Sequence, residues 1–277
     1  MSEELYDGKP HRTTAENFEA TSQNFQHLID ELKLRTEALE EANRELRRVS
    51  LYRSLFLGRM SHELRTPLTS ILGFTEILLD QEQLSEAQRR FCKKIQDSGL
   101  QLQTTLDQLV DLSRIESGRT EIFLQEFSLR ETVRDSCAAV ARLAHKRQVK
   151  LDYEITSDVA TVVSDQGRLR QILYSFLAWN VSRTPAEKSV SLNVWVDQPA
   201  RLYLRMEDQG PHVTDLAHAF EPNELASSTD LPNLDELGVI IGRRLVGMLG
   251  GNVSLENRSS EGARVLIDLP ARPLKEQ

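Results

Sequence analysis

Between Phe25 and Val49 the sequence carries a heptad seam. Phe25, Leu28, Leu32, Arg35, Leu39, Ala42, Leu46 and Val49 step by alternating three and four, and seven of the eight are apolar. The neighbours of the seam are mostly charged (Glu31, Lys33, Glu37, Glu40, Glu41, Arg44, Glu45), so a lone helix would leave an apolar stripe in water and a dimeric coiled coil would hide it. The alternative, a helix packed on its own domain, needs a face patterned to cover it, and nothing downstream looks built for that. The seam therefore predicts a coiled-coil segment over residues 16–52. Residues 1–15 mix charge, Pro10 and threonine without period and read as a flexible lead-in.

A second helical pattern runs through Leu57, Met60, Leu64, Leu68, Ile71, Thr75 and Leu78, and Asp80 to Ser85 reads as a polar turn. A third pattern extends from Glu86 to about Ser117, with Phe91, Ile95, Leu102, Leu106, Leu109 and Leu112 at helical spacing and Gly118 as its stop. Two helices joined by a short turn make an antiparallel hairpin. Two hairpins brought together by the coiled coil make a four-helix bundle, assigned to residues 53–118.

After Gly118 the period changes. Short β-branched runs at 121–127, 149–155, 161–164, 190–196, 201–207, 252–256 and 264–269 alternate with helical stretches at 129–146, 166–182 and 237–249. Residues 119–277 are thus expected to form a separate α/β domain. The segment 210–236, rich in Pro, Asp, Ser and Asn, is too long for an ordinary connection and suggests a mobile functional loop or lid.

Composition narrows the function classes. In 277 residues, acidic side chains outnumber basic ones 42 to 34, and the net charge of -8 opposes a broad phosphate-backbone footprint, so no nucleic-acid partner is expected. Two cysteines, Cys92 and Cys137, are too few for a disulfide framework or a cysteine metal site, which points to a reducing cytoplasmic setting. The most apolar late stretch, 237–249, contains Arg243 and Arg244 and falls short of the roughly 20 residues of a membrane helix. No membrane span and no secretory leader are read. His11, His27, His145, His212 and His218 show no ligand spacing, so no metal cluster is expected.

The chemistry concentrates at His62, in Ser61-His62-Glu63-Leu64-Arg65-Thr66-Pro67-Leu68. At about 100° per residue, His62 points roughly 165° away from the apolar stripe of its helix, so the imidazole faces water. A plain surface histidine satisfies the spacing equally well, but its neighbours add chemistry. Glu63 carries a carboxylate beside the ring, which can fix the tautomer and leave the other nitrogen free as a nucleophile. Thr66 projects on the same face one turn on and can position a water. Pro67 removes a backbone donor and should bend the helix just past the histidine.

This stretch resembles the H-box of bacterial sensor histidine kinases of two-component systems, and the resemblance covers roughly Leu51 to Pro270. It implies a dimerisation and phosphotransfer hairpin followed by an α/β sandwich of the Bergerat (GHKL) ATP-binding type. By resemblance, His62 accepts a phosphoryl group, Glu63 assists as base, and Thr66 with Glu63 serves hydrolysis of the phosphorylated receiver.

The ATP site departs from that family's pattern. The stretch 165–184 resembles the helix carrying two asparagines, four apart, that hold Mg²⁺ and the phosphates, and here those places fall on Ser175 and Trp179. An indole offers magnesium no oxygen and fills the space. Asn180 sits one step late, about 100° around the helix, so a working site would need Asn180 or Asp208 to compensate. The basic residue three beyond the second asparagine is replaced by Ser182. Glu207 to His212 resembles the adenine-binding turn, with Asp208 available to the adenine amino group and Gly210 retained, while His212 replaces the second glycine. Ala219-Phe220-Glu221-Pro222 resembles the phenylalanine motif of the lid. In the phosphate-approaching glycine segment Gly238 remains, but Glu236 stands where the first glycine is expected and repels triphosphate. The cofactor-binding candidates are Asp208, Gly210, Gly238 and Asn180, with ATP and Mg²⁺ as doubtful cofactors and Trp179 available to fill the vacated pocket. Trp195 reads as a core residue of its strand.

Three functions remain open from sequence. The first is a phosphotransfer protein of the histidine kinase type, with His62 exchanging phosphoryl groups with receiver aspartates and an autokinase activity weak or lost. The second is an active autokinase with atypical metal binding. The third is a catalytically silent dimeric scaffold. The implied partners are a second copy of the chain, a response-regulator receiver domain, and a sensor protein or kinase that delivers the input.

Overall fold

A computed structural model describes residues 10–81, 83–156, 161–197, 201–216, 218–220 and 234–271; the side chains of residues 10–24, 81 and 234 are not described. The chain divides into two compact units, Met1–Leu55 and Phe56–Gln277.

Helix α1 spans Pro10–Gln81. Proline at a first helical position costs nothing, because its missing N–H has no partner there in any case. Residues 10–15, expected to be irregular, are therefore helical, and residues 1–9 of the proposed lead-in lie outside the described residues. In the first unit the seam positions Phe25, Leu32, Leu39 and Leu46 stand exposed, while Arg35 pairs with Glu31 at 2.6 Å and Arg44 with Glu41 at 3.1 Å beside them. Exposed pairs of this kind contribute about 0.3–0.5 kcal/mol each, far less than covering the seam would.

In the second unit, α1 continues to Gln81 and α2 covers Glu86–Glu116. Ser85 caps α2 through a reciprocal box with Gln88, which satisfies two otherwise orphaned N–H groups. The helix ends where Gly118 adopts φ 67° and returns its N–H to the Ile115 carbonyl. The hairpin is tight because Gly99 lacks a side chain: a Cβ there would lie 2.8 Å from Leu72 Cδ2. Arg65 adds an ion pair to Asp107 at 2.5 Å across the two helices.

The α/β part contains β1 (Gln125–Ser128), α3 (Leu129–Lys146), β2 (Lys150–Ile155), β3 (Thr161–Ser164), α4 (Gln166–Arg183), β4 (Ser189–Asp197), β5 (Arg201–Glu207), α5 (Leu234–Met248), β6 (Asn252–Asn257) and β7 (Ala263–Pro270). Five strands form one sheet in the order β2-β4-β5-β7-β6, with β2 parallel to β4 and the other pairs antiparallel, and β1 pairs with β3 apart from it. Strict alternation sends Val190, Leu192 and Val194, Leu202, Leu204 and Met206, and Val265, Ile267 and Leu269 to one face. They pack with Leu169, Ile172, Leu173, Phe176 and Leu177 of α4, and with α3 and α5, in one core. This is the helical-hairpin plus α/β-sandwich architecture expected from the sequence.

Three details differ. Residues 121–124 are not strand; their backbone is tied down by the α4 N-cap Asp165, whose Oδ2 accepts from the Phe123 N–H at 2.9 Å. Trp195 is not core: with Val194 pointing in, the pleat turns it to the opposite face, where it stacks on Tyr203 at 5.2 Å with Arg205 5.3 Å from its ring. Helix α5 starts at Leu234, inside the expected loop of 210–236. Residues 217 and 221–233 of that loop lie outside the described residues. No described helix is long and apolar enough to cross a membrane.

Candidate functional site

His62 lies on α1 between buried Ser61 and Leu68, and it is exposed, as the 3.6-residue period requires. Its ring makes no hydrogen bond among the described residues. Glu63 does not hold it: the Glu63 carboxylate accepts from Arg59 Nε at 2.9 Å, one turn back along the same helix. The Thr66 hydroxyl donates to the His62 carbonyl at 3.4 Å, a long and weak back-bond that leaves the hydroxyl near the imidazole's own turn. Helix α1 passes through Pro67 without ending. Having no N–H, Pro67 leaves the Glu63 carbonyl without its usual helical partner. The stem thus presents an unencumbered imidazole flanked by a carboxylate and a hydroxyl.

The second cluster lies at the C-terminal end of α4. Asp208 follows β5 and is fully buried. Its Oδ1 accepts from the Gly210 N–H at 2.8 Å and the Ala263 N–H at 3.2 Å, while Oδ2 faces Arg183 Nη1 at 3.2 Å. Burial pushes the Asp208 carboxyl above its usual range, against the opposing pull of the Gly210 N–H, Arg183, the Ala263 N–H and Arg258. Burial likewise lowers the Arg183 guanidinium, opposed by Asp208. The Arg183 guanidinium also lies over the Trp179 ring at 4.5 Å and donates from Nη2 to the Pro211 carbonyl. Gly210 is indispensable to this corner, since a Cβ there would sit 2.5 Å from the Arg183 carbonyl oxygen. Removing one member of a buried pair such as Arg183–Asp208 costs about 3–5 kcal/mol. Phe220 packs edge-on against both Trp179, at 5.5 Å, and Phe176, at 5.4 Å.

Residues 52–118 match the His Kinase A (phospho-acceptor) domain, the span that contains the exposed imidazole. Those residues belong to the phospho-acceptor domain family, and the curated relatives matched over most of the chain are named as histidine kinases or sensor proteins. The match to the circadian input-output histidine kinase CikA of Synechocystis is 31% identical over 258 residues, covering 89% of this chain and 34% of CikA. The chain spans about a third or less of the length of the curated relatives it matches. Among solved structures, full-length ShkA in complex with AMPPNP superposes with a TM-score of 0.64 at 27% identity, over 77% of this chain and 45% of ShkA. The histidine kinase ThkA in complex with the response regulator TrrA shares the fold, with a TM-score of 0.53 at 21% identity over 83% of this chain and 65% of that one.

Against that family's ATP site, two of the four cofactor candidates stand together and two do not. Asp208 and Gly210 form one corner. Asn180 is withdrawn: it is fully buried, and its Nδ2 donates to the Phe176 carbonyl at 2.7 Å, because one step along α4 turns it from the cleft into the core. Gly238 is also displaced from the role expected of it. The acidic residues Asp235 and Glu236 favour a helix start, so α5 begins ahead of Gly238 and takes it into the helix. There its Cβ position faces Gln108 of α2 at 3.3 Å and Ser175 Oγ at 3.7 Å, which makes it a packing glycine. Trp179 supplies no oxygen for a metal at its position, and Asp208 Oδ1 already accepts from two backbone N–H groups while Oδ2 makes no hydrogen bond. Sequence reasoning missed Arg183, although its position four residues after Trp179 places both on one face of α4, the spacing at which a cation meets a ring.

Proposed function

We propose that this chain is a two-component phosphotransfer protein in which His62 carries a phosphoryl group to and from the aspartate of a receiver domain, with autokinase activity weak or lost. The observation that carries the reading is the exposed, unbonded imidazole of His62 within the phospho-acceptor domain. A ring-nitrogen lone pair attacks the phosphorus of a receiver aspartyl phosphate. The N–P bond forms as the P–O bond to the aspartyl carboxyl breaks, and the carboxylate leaves; the reverse step returns the group. The complex of ThkA with TrrA supports a response regulator as partner. Exposed Leu64, Ile71, Phe74, Phe91, Ile95 and Leu102 on the hairpin support a second copy of the chain, which would cover them in a four-helix bundle. Glu63 and Thr66 are assigned to hydrolysis of the receiver's phosphate, for which Glu63 must part from Arg59. Trp179 and Ser175 at the metal positions support an autokinase that is weak or lost, because phosphoryl transfer rests almost wholly on positioning and charge neutralisation.

The test is transfer of label from a phosphorylated receiver, without ATP. The wild-type chain should acquire acid-labile label and His62→Gln should acquire none while remaining dimeric by sedimentation. Label that persists on the variant refutes the assignment. Strong labelling of the wild-type chain from ATP and Mg²⁺ alone would favour the working-autokinase reading instead.

A further inference from the structure

We propose that Arg183 is a built-in occupant of the adenine end of the cleft, and that this one side chain excludes adenine nucleotides from the domain. The inference rests on the reading above that places Asp208 where an adenine amino group would bind. An amino-purine bound there needs a flat π-surface to lie on, a carboxylate to accept from its exocyclic N–H, and a turn that leaves room. Arg183 uses all three. Its guanidinium is planar, lies 4.5 Å over the Trp179 ring, stands with Nη1 3.2 Å from Asp208 Oδ2 as an ion pair without a hydrogen bond, and gives Nη2 to the Pro211 carbonyl in the turn beyond Gly210. A guanidinium imitates the aminated edge of adenine, with N–H donors in a rigid plane and a face that stacks on an indole.

The occupant is fixed more firmly than a visiting base would be. Arg183 is tethered to α4, so it reaches the carboxylate at no cost in translational freedom. It carries a full positive charge toward a fully buried carboxylate, whereas the adenine amino group is neutral. Arg183 itself is only 13% exposed. A nucleotide that displaced it would leave both charges desolvated and unpaired. Phe220 packs edge-on against the rings of Trp179 and Phe176 together.

The experiment compares adenosine binding to the full-length wild-type chain and to Arg183→Ala. Adenosine has no phosphate, so the altered metal positions do not enter. Wild type should show no heat in calorimetry and no change in tryptophan fluorescence. The variant should bind adenosine at least about tenfold more tightly, with quenching of Trp179, and free guanidinium at low concentration should compete for the same place. Because Arg183→Ala leaves Asp208 buried without its cation, Arg183→Met, which keeps the aliphatic stem on the indole, is measured beside it, and circular dichroism establishes that each is folded. Equal adenosine binding by wild type and variants overturns the proposal. So does a folded variant that binds neither adenosine nor guanidinium. Labelling of His62 from a phosphorylated receiver, run on the wild-type chain, reports separately on the phosphotransfer reading, since that reaction makes no use of this cleft.

Discussion

Thr66 and His62 share one face of α1, yet the Thr66 hydroxyl is spent on a 3.4 Å bond to the His62 carbonyl. A bond that long is weak, and a rotation about one side-chain torsion releases the hydroxyl to hold a water in line with a docked receiver phosphate. Thr66→Ala should therefore slow receiver dephosphorylation by about tenfold to a hundredfold, the scale on which misplacing a reactant acts, while transfer from the receiver to His62 continues. Single-turnover assays with labelled receiver separate the two rates, and equal loss in both would make Thr66 a purely structural residue. The outward direction of His62 was legible because helical period alone decides it. The partner of Glu63 was not: Arg59, one turn back on the same face, offers a charged donor, whereas adjacent His62 points about 100° away around the helix. Asn180 was misplaced for a related reason. A single step along α4 separates cleft from core, and the 100° offset of Asn180 read from the sequence is the rotation that buries it.

Elements with a continuous pattern were readable, and those governed by their ends were not. Alternating valines and leucines fixed β4, β5 and β7 to within a residue or so, and the Leu129–Lys146 helix begins and ends at its expected bounds. Helix α5 departs from the pattern because Asp235 and Glu236 at its N-terminus extend it backwards past the last apolar position, and that extension converts Gly238 from loop to helix. Strand β1 is shorter than its apolar run because β3, its partner, has only four residues to pair with. The seam on α1 yields a prediction at this scale. Leu32 and Leu39, 57% and 70% exposed in one copy, should be covered in the dimer. Replacing both with Asp puts like charges opposite one another across the seam, where each copy otherwise gains about 1.5–3 kcal/mol per buried leucine. The double variant should sediment as monomer at concentrations where wild type is dimeric. An undisturbed dimer would mean that the hairpin alone holds the copies together.

Within the second unit, the hairpin and the α/β layer are joined by more than the connection after Gly118. Leu109, Leu112 and Ile115 of α2 pack against the core whose centre is α4, Asp111 accepts from Gln171 Nε2 at 2.9 Å, and Gln108 meets the face of α5 at Gly238. The helix that completes the hairpin is thus also a wall of the cleft. Any movement of the α/β layer toward His62 must break this contact first. The apolar part is only partly buried and the polar part includes the charged Asp111–Gln171 hydrogen bond, which suits a conformational switch between packed arrangements. Asp111→Ala removes the charged acceptor and should weaken the seal by about 1 kcal/mol, which corresponds to roughly a fivefold rise in local opening. Hydrogen exchange should then quicken in α2 between about Leu106 and Glu116 and in the first half of α4, while β5 and β7 at the centre of the sheet keep their protection. If exchange rises equally throughout the sheet, the carboxylate supports the whole fold, and if α2 is unaffected the apolar residues alone hold the two layers together.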